Sequence, residues 1–274
     1  SHIAADVVLE CAGHRRTELE PRPDGVPWGA GAVAHARWAG GALDDLLSVA
    51  RPLPEATHIV FHGADLGDVP GAAVPEGFAR AIPLRDPAVR STVLAWEMNG
   101  QRLTPEHGYP VRAVVPGWYA VASVKWLVRI ELVAGPFEGF YQAVDYRLRA
   151  PGEDGPGREL TTMPVSSLIA DPVDGAAVQG TEVLVRGIAW GGTGGVAGVE
   201  VQADDGPWQP ARTEPGHGRH AATRFALALD LAPGRHLLRA RARDRDGAIQ
   251  PEQVAWNERG YGINAVHAVA IDVA

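Results

Sequence analysis

Beyond residue 180 the chain is cut into short runs of strand character by turn dipeptides, and that punctuation limits its possible folds more than any other feature. Glu182–Trp190, Val199–Ala203 and His236–Arg243 alternate between apolar and polar residues, and Asp205-Gly206, Pro233-Gly234 and Asp246-Gly247 mark turns. Period-two patterning with frequent turns predicts an antiparallel β-sandwich of immunoglobulin type, here without the two cysteines of antibody domains. The 33 glycines and 22 prolines among 274 residues favour turn-rich β-structure throughout. A sandwich of this kind is more often an interaction or dimerisation module than a catalyst.

Ahead of that series, Ala150-Pro-Gly-Glu-Asp-Gly-Pro-Gly157 reads as a linker. It divides the chain into an expected first domain over 1–150 and a second over 158–274. The first region is more mixed. Residues 3–9 read as a buried strand and 18–28 as a surface loop. Residues 42–50 carry apolar side chains at helical spacing and predict a short amphipathic helix. Residues 58–61 read as a strand that turns out at Gly63-Ala64-Asp65, and 79–83 and 91–98 as a helix or strand pair. Asn99-Gly100 signals a hairpin, and 127–133 a further strand. The fold class expected is α+β, mainly β.

A net charge of −8 argues against a general nucleic-acid binder. No apolar run reaches the length of a membrane span, and the first residues show neither a basic nor an apolar signal region. A soluble protein is expected, periplasmic or cytoplasmic, with no targeting signal in this chain. Lys125 is the sole lysine among many arginines, which suggests a position where a compact ammonium is wanted rather than a planar fork.

The only cysteine, Cys11, stands in Cys11-Ala12-Gly13-His14-Arg15-Arg16, one residue after the apolar run Val7-Val8-Leu9. A lone cysteine after such a run is as a rule a small buried hydrophobe. Here Gly13 lets the backbone turn, and two arginines bring positive charge near the thiol. The thiolate is the form of cysteine that ligates metals or attacks substrates.

Taken in order, the motifs resemble the sulfite oxidase family of molybdopterin enzymes. They are Cys-Ala-Gly-x-Arg-Arg at 11–16, Ala-Arg-Trp-Ala-Gly at 36–40, Glu-Met-Asn-Gly at 97–100 and His-Gly-Tyr-Pro-Val-Arg at 107–112. Val-Val-Pro-Gly at 114–117, Val-Lys-Trp at 124–126 and Trp-Asn-x-Arg-Gly at 256–260 complete the set. The resemblance implies a molybdopterin-binding domain followed by an immunoglobulin-like domain that mediates homodimerisation. It implies molybdenum bound by the pterin and by the thiolate of Cys11, and oxidation of sulfite to sulfate. Arg16 and Arg259 match the family's substrate arginines, and Trp28 and Tyr146 its pocket aromatics. Asp65 matches the pterin-contacting aspartate, and His107, Arg112 and Ser123-Val124-Lys125 match the phosphate site. On this reading Arg259 lies in the second domain, which would fold back over the metal. An external acceptor, such as a cytochrome or oxygen, would take the electrons.

The sequence departs from the family pattern in three places. His14 stands where most members have Asn, and Ser123 replaces a His of the animal enzymes. The family's Arg-Asn-His segment upstream of the cysteine is absent, so the chain is expected to lack its first portion. Two alternatives stay open: a relative acting on another sulfur oxyanion or a sulfoxide, and a cofactor-free binding or dimerisation protein. A zinc pair of Cys11 and His14 is disfavoured, because structural zinc needs four ligands.

Overall fold

The computed structural model describes residues 1–70, 73–192 and 194–274. The chain forms two compact units, Ser1–Thr162 with Trp256–Gly262, and Met163–Ala255 with Ile263–Ala274. Among the described residues no helix is long and apolar enough to cross a membrane.

The first unit opens with β1 (His2–Glu10), which pairs antiparallel with β2 (Val33–Ala42) from His2 opposite Gly41 to Glu10 opposite Val33. Helix α1 (Leu43–Ala50) follows directly and buries Leu43 and Leu47, the apolar face that the spacing predicts. Then come β3 (His58–Gly67), β4 (Glu76–Pro83), the short α2 (Ala88–Ser91), β5 (Val93–Met98) and β6 (Gln101–Arg102). Asn99 and Gly100 hold φ of 53° and 77° between β5 and β6, the paired left-handed geometry of a two-residue hairpin. Next come β7 (Arg112–Val114), β8 (Leu127–Val133), α3 (Phe140–Ala143), β9 (Arg147–Leu148) and β10 (Arg158–Glu159).

These strands make one sheet in the order β1-β2-β5-β6 with β7 on β5, and another in the order β4-β3-β8. Val7, Trp38, Val93 and Val114 pack as one core; Leu43, Ile59, Phe61, Ile82 and Trp118 pack as a second. Two expectations change in this unit, and one open choice is decided. The chain does not turn out at Gly63-Ala64-Asp65: β3 runs on to Gly67 and absorbs the irregularity as a register shift between His62 and Leu66. Residues 79–83 and 91–98 lie in or across strands, apart from α2. The Gly/Pro stretch 150–157 loops between β9 and β10, which pair with each other, so it closes a hairpin.

The second unit contains β11 (Ser166–Asp171), β12 (Ala176–Val178), β13 (Glu182–Trp190), β14 (Val196–Ala203) and β15 (Gln209–Pro210). It continues with β16 (Arg212–Pro215), β17 (Thr223–Asp230), β18 (Gly234–Asp244) and β19 (His267–Val273). They form two sheets, β11-β13-β17-β16 and β12-β19-β18-β14-β15. All pairings are antiparallel among the described strands of this unit except β12 with β19. The alternation explains the layering. In β13, Val183 and Val185 are buried while Glu182, Leu184 and Arg186 are exposed. Val183, Val185, Phe225 and Leu229 of one sheet share a core with Leu238, Ala240, Val269 and Ile271 of the other. This is the expected β-sandwich.

Candidate functional site

The Cys11 loop grows out of the β1–β2 ladder. After Glu10 pairs with Val33, the Cys11 amide donates to the Ala32 carbonyl at 2.9 Å, which carries the ladder one residue further. The chain then turns at Cys11–His14, with the His14 amide on the Cys11 carbonyl at 3.0 Å. The thiol is free and only partly buried. Arg15 adopts φ 60° and pairs with Glu18 at 2.6 Å, so its charge is spent within the loop.

Arg16 is different. It is buried, its Nε donates to the Arg259 carbonyl at 2.8 Å, and its Nη1 donates to the Val26 carbonyl at 2.7 Å. Among the described residues no carboxylate pairs with it, and Nη2 donates to no protein acceptor. Three glycines from separate segments close around it. A Cβ on Gly13 would lie 2.4 Å from Nη2, one on Gly25 2.6 Å from Nη1, and one on Gly260 2.6 Å from Cγ. A fixed, buried guanidinium with one open edge and no counter-charge is built to receive an anion.

Tyr261 lies next to this cation, and Tyr146 stacks on Tyr261. Their rings stack with centroids 5.4 Å apart and planes 8° from parallel, and Arg16 Cζ sits 5.4 Å from the Tyr261 centroid. Asp145 accepts from the Tyr146 amide at 2.8 Å and from the Tyr261 hydroxyl at 3.1 Å. Burial, then the neighbouring charges of Asp145 and Cys11, push the Tyr146 phenol up to about 12. It stays protonated at any working pH and can donate a hydrogen bond. Tyr261 is also raised, first by burial and then by Asp145.

A second group gathers around the ends of β7 and β8. Arg112 is buried, stacks 4.8 Å over Trp38, and donates to the carbonyls of His107 at 3.1 Å and Ser123 at 2.8 Å. Among the described residues no carboxylate faces it, and burial lowers its pKa to about 10. Lys125 donates to the Glu106 carbonyl at 3.1 Å and lies 4.2 Å over Trp126. The Ser123 hydroxyl accepts from the Val115 amide at 3.0 Å, while the Val124 side chain belongs to the core. His107 is exposed, with Nδ1 2.9 Å from the Thr104 hydroxyl. The Ala64 amide donates to the Trp126 carbonyl at 2.9 Å, which brings Asp65 beside this segment; its Oδ1 is buried and has no hydrogen-bond partner.

The structure thus brings Cys11, Arg16, Tyr146 and the Arg259 backbone into one neighbourhood, and Asp65, His107, Arg112, Ser123, Val124 and Lys125 into another. Arg259 corrects its expectation: Trp256–Gly262 belongs to the first unit, not to the sandwich. Its guanidinium is exposed, and its backbone is what holds Arg16. Trp28 is 45% exposed and meets the Cys11 loop only through its carbonyl, which accepts from the Thr17 amide at 3.1 Å. Sequence reasoning missed Tyr261, Asp145 and Arg80. Tyr261 and Asp145 flank recognised motif residues, whereas Arg80 sits mid-strand with no local signal. Among the described residues no three His, Cys, Asp or Glu side chains gather as a metal site, so a metal at Cys11 would bring its other ligands with it.

Comparison with known proteins gives the family of both regions. Residues 1–141 match the family described as oxidoreductase molybdopterin binding domain, and 158–274 match the Mo-co oxidoreductase dimerisation domain. The chain is 36% identical to mitochondrial sulfite oxidase of Mus musculus over 293 residues, covering 97% of this chain and 52% of that protein. It is 37% identical to the Homo sapiens enzyme over 294 residues, covering 98% and 52%. The chain therefore spans about half the length of these animal relatives. The sulfane dehydrogenase SoxCD from Paracoccus pantotrophus superposes over 100% of this chain and 72% of its own, with a TM-score of 0.81 and 26% identity. The chain belongs to the sulfite oxidase family of molybdopterin-dependent oxidoreductases.

Proposed function

We propose that this protein oxidises sulfite to sulfate at a molybdopterin-bound molybdenum whose protein ligand is Cys11. The residues present suit that group. The buried, unpartnered Oδ1 of Asp65 suits an N–H donor of a pterin ring, and a buried Arg112 without a carboxylate suits a phosphate. Lys125, His107 and the Ser123–Lys125 backbone complete the phosphate side, and the partly exposed thiol of Cys11 is free to ligate. When bound, the cofactor supplies the two-electron redox chemistry.

The protein's own part is placement and charge. Arg16 offers its open Nη2 edge to one oxygen of the substrate, and Arg259, on a flexible stem, adds a second cation. Tyr146, held protonated, donates a hydrogen bond beside Cys11. Trp28, an exposed aromatic beside this loop, is the family's pocket tryptophan only by resemblance. Electrons pass on to an external acceptor, a cytochrome or oxygen, and the sandwich pairs two copies of the chain as a homodimer.

The observation that carries this reading is the seat of Arg16: a buried guanidinium with no counter-ion among the described residues, enclosed by Gly13, Gly25 and Gly260. Sulfite-dependent reduction of ferricyanide tests it. The wild type should turn over and Arg16→Met should show a KM raised by about a hundredfold, the cost of about 2.7 kcal/mol for a lost charged contact. A second reading rests on the likeness to SoxCD: the substrate is another reduced sulfur compound, and a molybdenum-loaded protein that ignores sulfite would favour it.

A further inference from the structure

Tyr261 joins two parts of the proposed site that are far apart in sequence. Its ring lies between the Arg16 guanidinium, 5.4 Å away, and the Tyr146 ring, 5.4 Å away. Arg80 adds a fourth member, with Cζ 5.8 Å from the Tyr146 centroid. The result is a stack in the order guanidinium, phenol, phenol, guanidinium, in which each cation lies over an aromatic ring.

Both halves of the stack are anchored in the backbone. Asn257 brackets Tyr261, accepting from its amide and donating to its carbonyl, each at 2.9 Å. Arg80, completely buried in β4, donates to the Tyr141 carbonyl and, at 3.1 Å, to the Leu160 carbonyl; Glu159 lies 3.7 Å away. The Leu160 amide in turn donates to the Tyr146 carbonyl at 3.0 Å. Tyr146 itself is held at φ 50°, a backbone conformation that a non-glycine residue keeps only when its surroundings impose it. The link between the two halves is Asp145 Oδ1, which accepts from the Tyr146 amide and the Tyr261 hydroxyl together.

We propose that Tyr261 is a positioning residue, which fixes the Tyr146 phenol and the Arg16 guanidinium in one register through its stacked ring and its hydrogen bond to Asp145. Arg80 supports the far side of the same stack. The inference rests on the functional reading above, in which Tyr146 and Arg16 face the substrate. It acts through its two neighbours.

Crystal structures of Tyr261→Phe and Tyr261→Leu test the placement without any need for turnover. Tyr261→Phe keeps the ring and should shift Tyr146 little, whereas Tyr261→Leu should rotate or displace the Tyr146 ring. An unmoved Tyr146 ring in Tyr261→Leu overturns the proposal. A double-mutant cycle on the molybdenum-loaded protein gives the second readout. Tyr261→Leu should lower kcat/KM for sulfite by about tenfold in the wild-type background, since small misplacements of reacting groups are costly. With Tyr146→Phe already present, the same substitution should cost about twofold or less. Equal losses in both backgrounds mean that Tyr261 does not act through Tyr146 and overturn the proposal. A loaded wild type without sulfite turnover would instead refute the substrate reading, while the ring position still decides the role of Tyr261.

Discussion

The Nε of Arg16 lies 2.8 Å from the carbonyl oxygen of Arg259, although the two residues are 243 positions apart in the sequence. A buried guanidinium held by a backbone carbonyl keeps its charge, because a carbonyl satisfies a donor without neutralising it. Had a carboxylate occupied that place, the site would be an internal ion pair with little pull on an anion. The bond also sets the backbone of the second candidate arginine against the first.

Glycines at the Arg16 seat are there for space. Gly13→Ala and Gly260→Ala each place a methyl within 2.6 Å of the Arg16 side chain, and Gly260 also holds φ +56°. Either variant should displace the guanidinium and raise the KM for sulfite by about tenfold or more, with a smaller change in kcat. Sulfate binding followed by calorimetry should weaken in parallel. Unchanged KM and sulfate affinity in both variants would contradict the seat.

Arg112→Met removes a buried cation that donates to His107 and Ser123 and stacks on Trp38. Its hydrogen bonds to three carbonyls, those of His107, Ser123 and Ala113, are lost, so a stability cost of about 3 kcal/mol or more is expected. The molybdenum content of the purified variant should fall well below that of the wild type. Arg112→Lys should recover only part of it, because an ammonium cannot reproduce the fork. Full metal loading in Arg112→Met would remove Arg112 from the cofactor site.

Much of this was legible in the sequence. The sandwich followed from alternation and turn dipeptides, because Val183, Val185, Leu238 and Ala240 fall on one face only if the strands are regular. Helix α1 and the Asn99-Gly100 hairpin were legible for the same local reasons. What local pattern could not show was the return of Trp256–Gly262 into the first unit, since nothing in those seven residues encodes which unit receives them. The Gly/Pro run 150–157 misled in the opposite direction: a hairpin loop and a linker share one composition, and only the pairing of β9 with β10 separates them. Arg80 was invisible for a related reason. Its neighbours in β4 read as an ordinary buried strand, and only tertiary packing shows a charge among them.

The sandwich should fail at its centre. Ile271 is 1% exposed and packs among Val183, Val185 and Leu238. Ile271→Ala should cost about 2–5 kcal/mol, read from the urea midpoint of the intact chain. A loss under about 1 kcal/mol would mean that this core is not packed as described.

The second unit also carries a small pH dependence. His236 Nδ1 lies 2.8 Å from Asp204 Oδ2, and that hydrogen bond, followed by one to the Ala232 carbonyl, raises the imidazole pKa. Asp204 is lowered, first by the Leu237 amide and then by His236. The histidine contribution is present below its ordinary pKa of about 6.5 and is lost as pH rises through the raised value. The aspartate contribution is present above about 3.9 and is lost as pH falls through the lowered value. His236→Gln should therefore lower the melting temperature at about pH 5.5 and much less at about pH 8.5, with the difference shrinking in high salt because Asp204 is half exposed. A deficit equal at both pH values would contradict the assignment.

The most direct test of the central claim is molybdenum quantification on the purified wild type and Cys11→Ser, paired with sulfite-dependent reduction of ferricyanide. The account predicts about one molybdenum per wild-type chain with sulfite turnover, and turnover abolished in Cys11→Ser while the fold survives. Undiminished sulfite turnover in Cys11→Ser, or a correctly folded wild type that takes up no molybdenum, would contradict it.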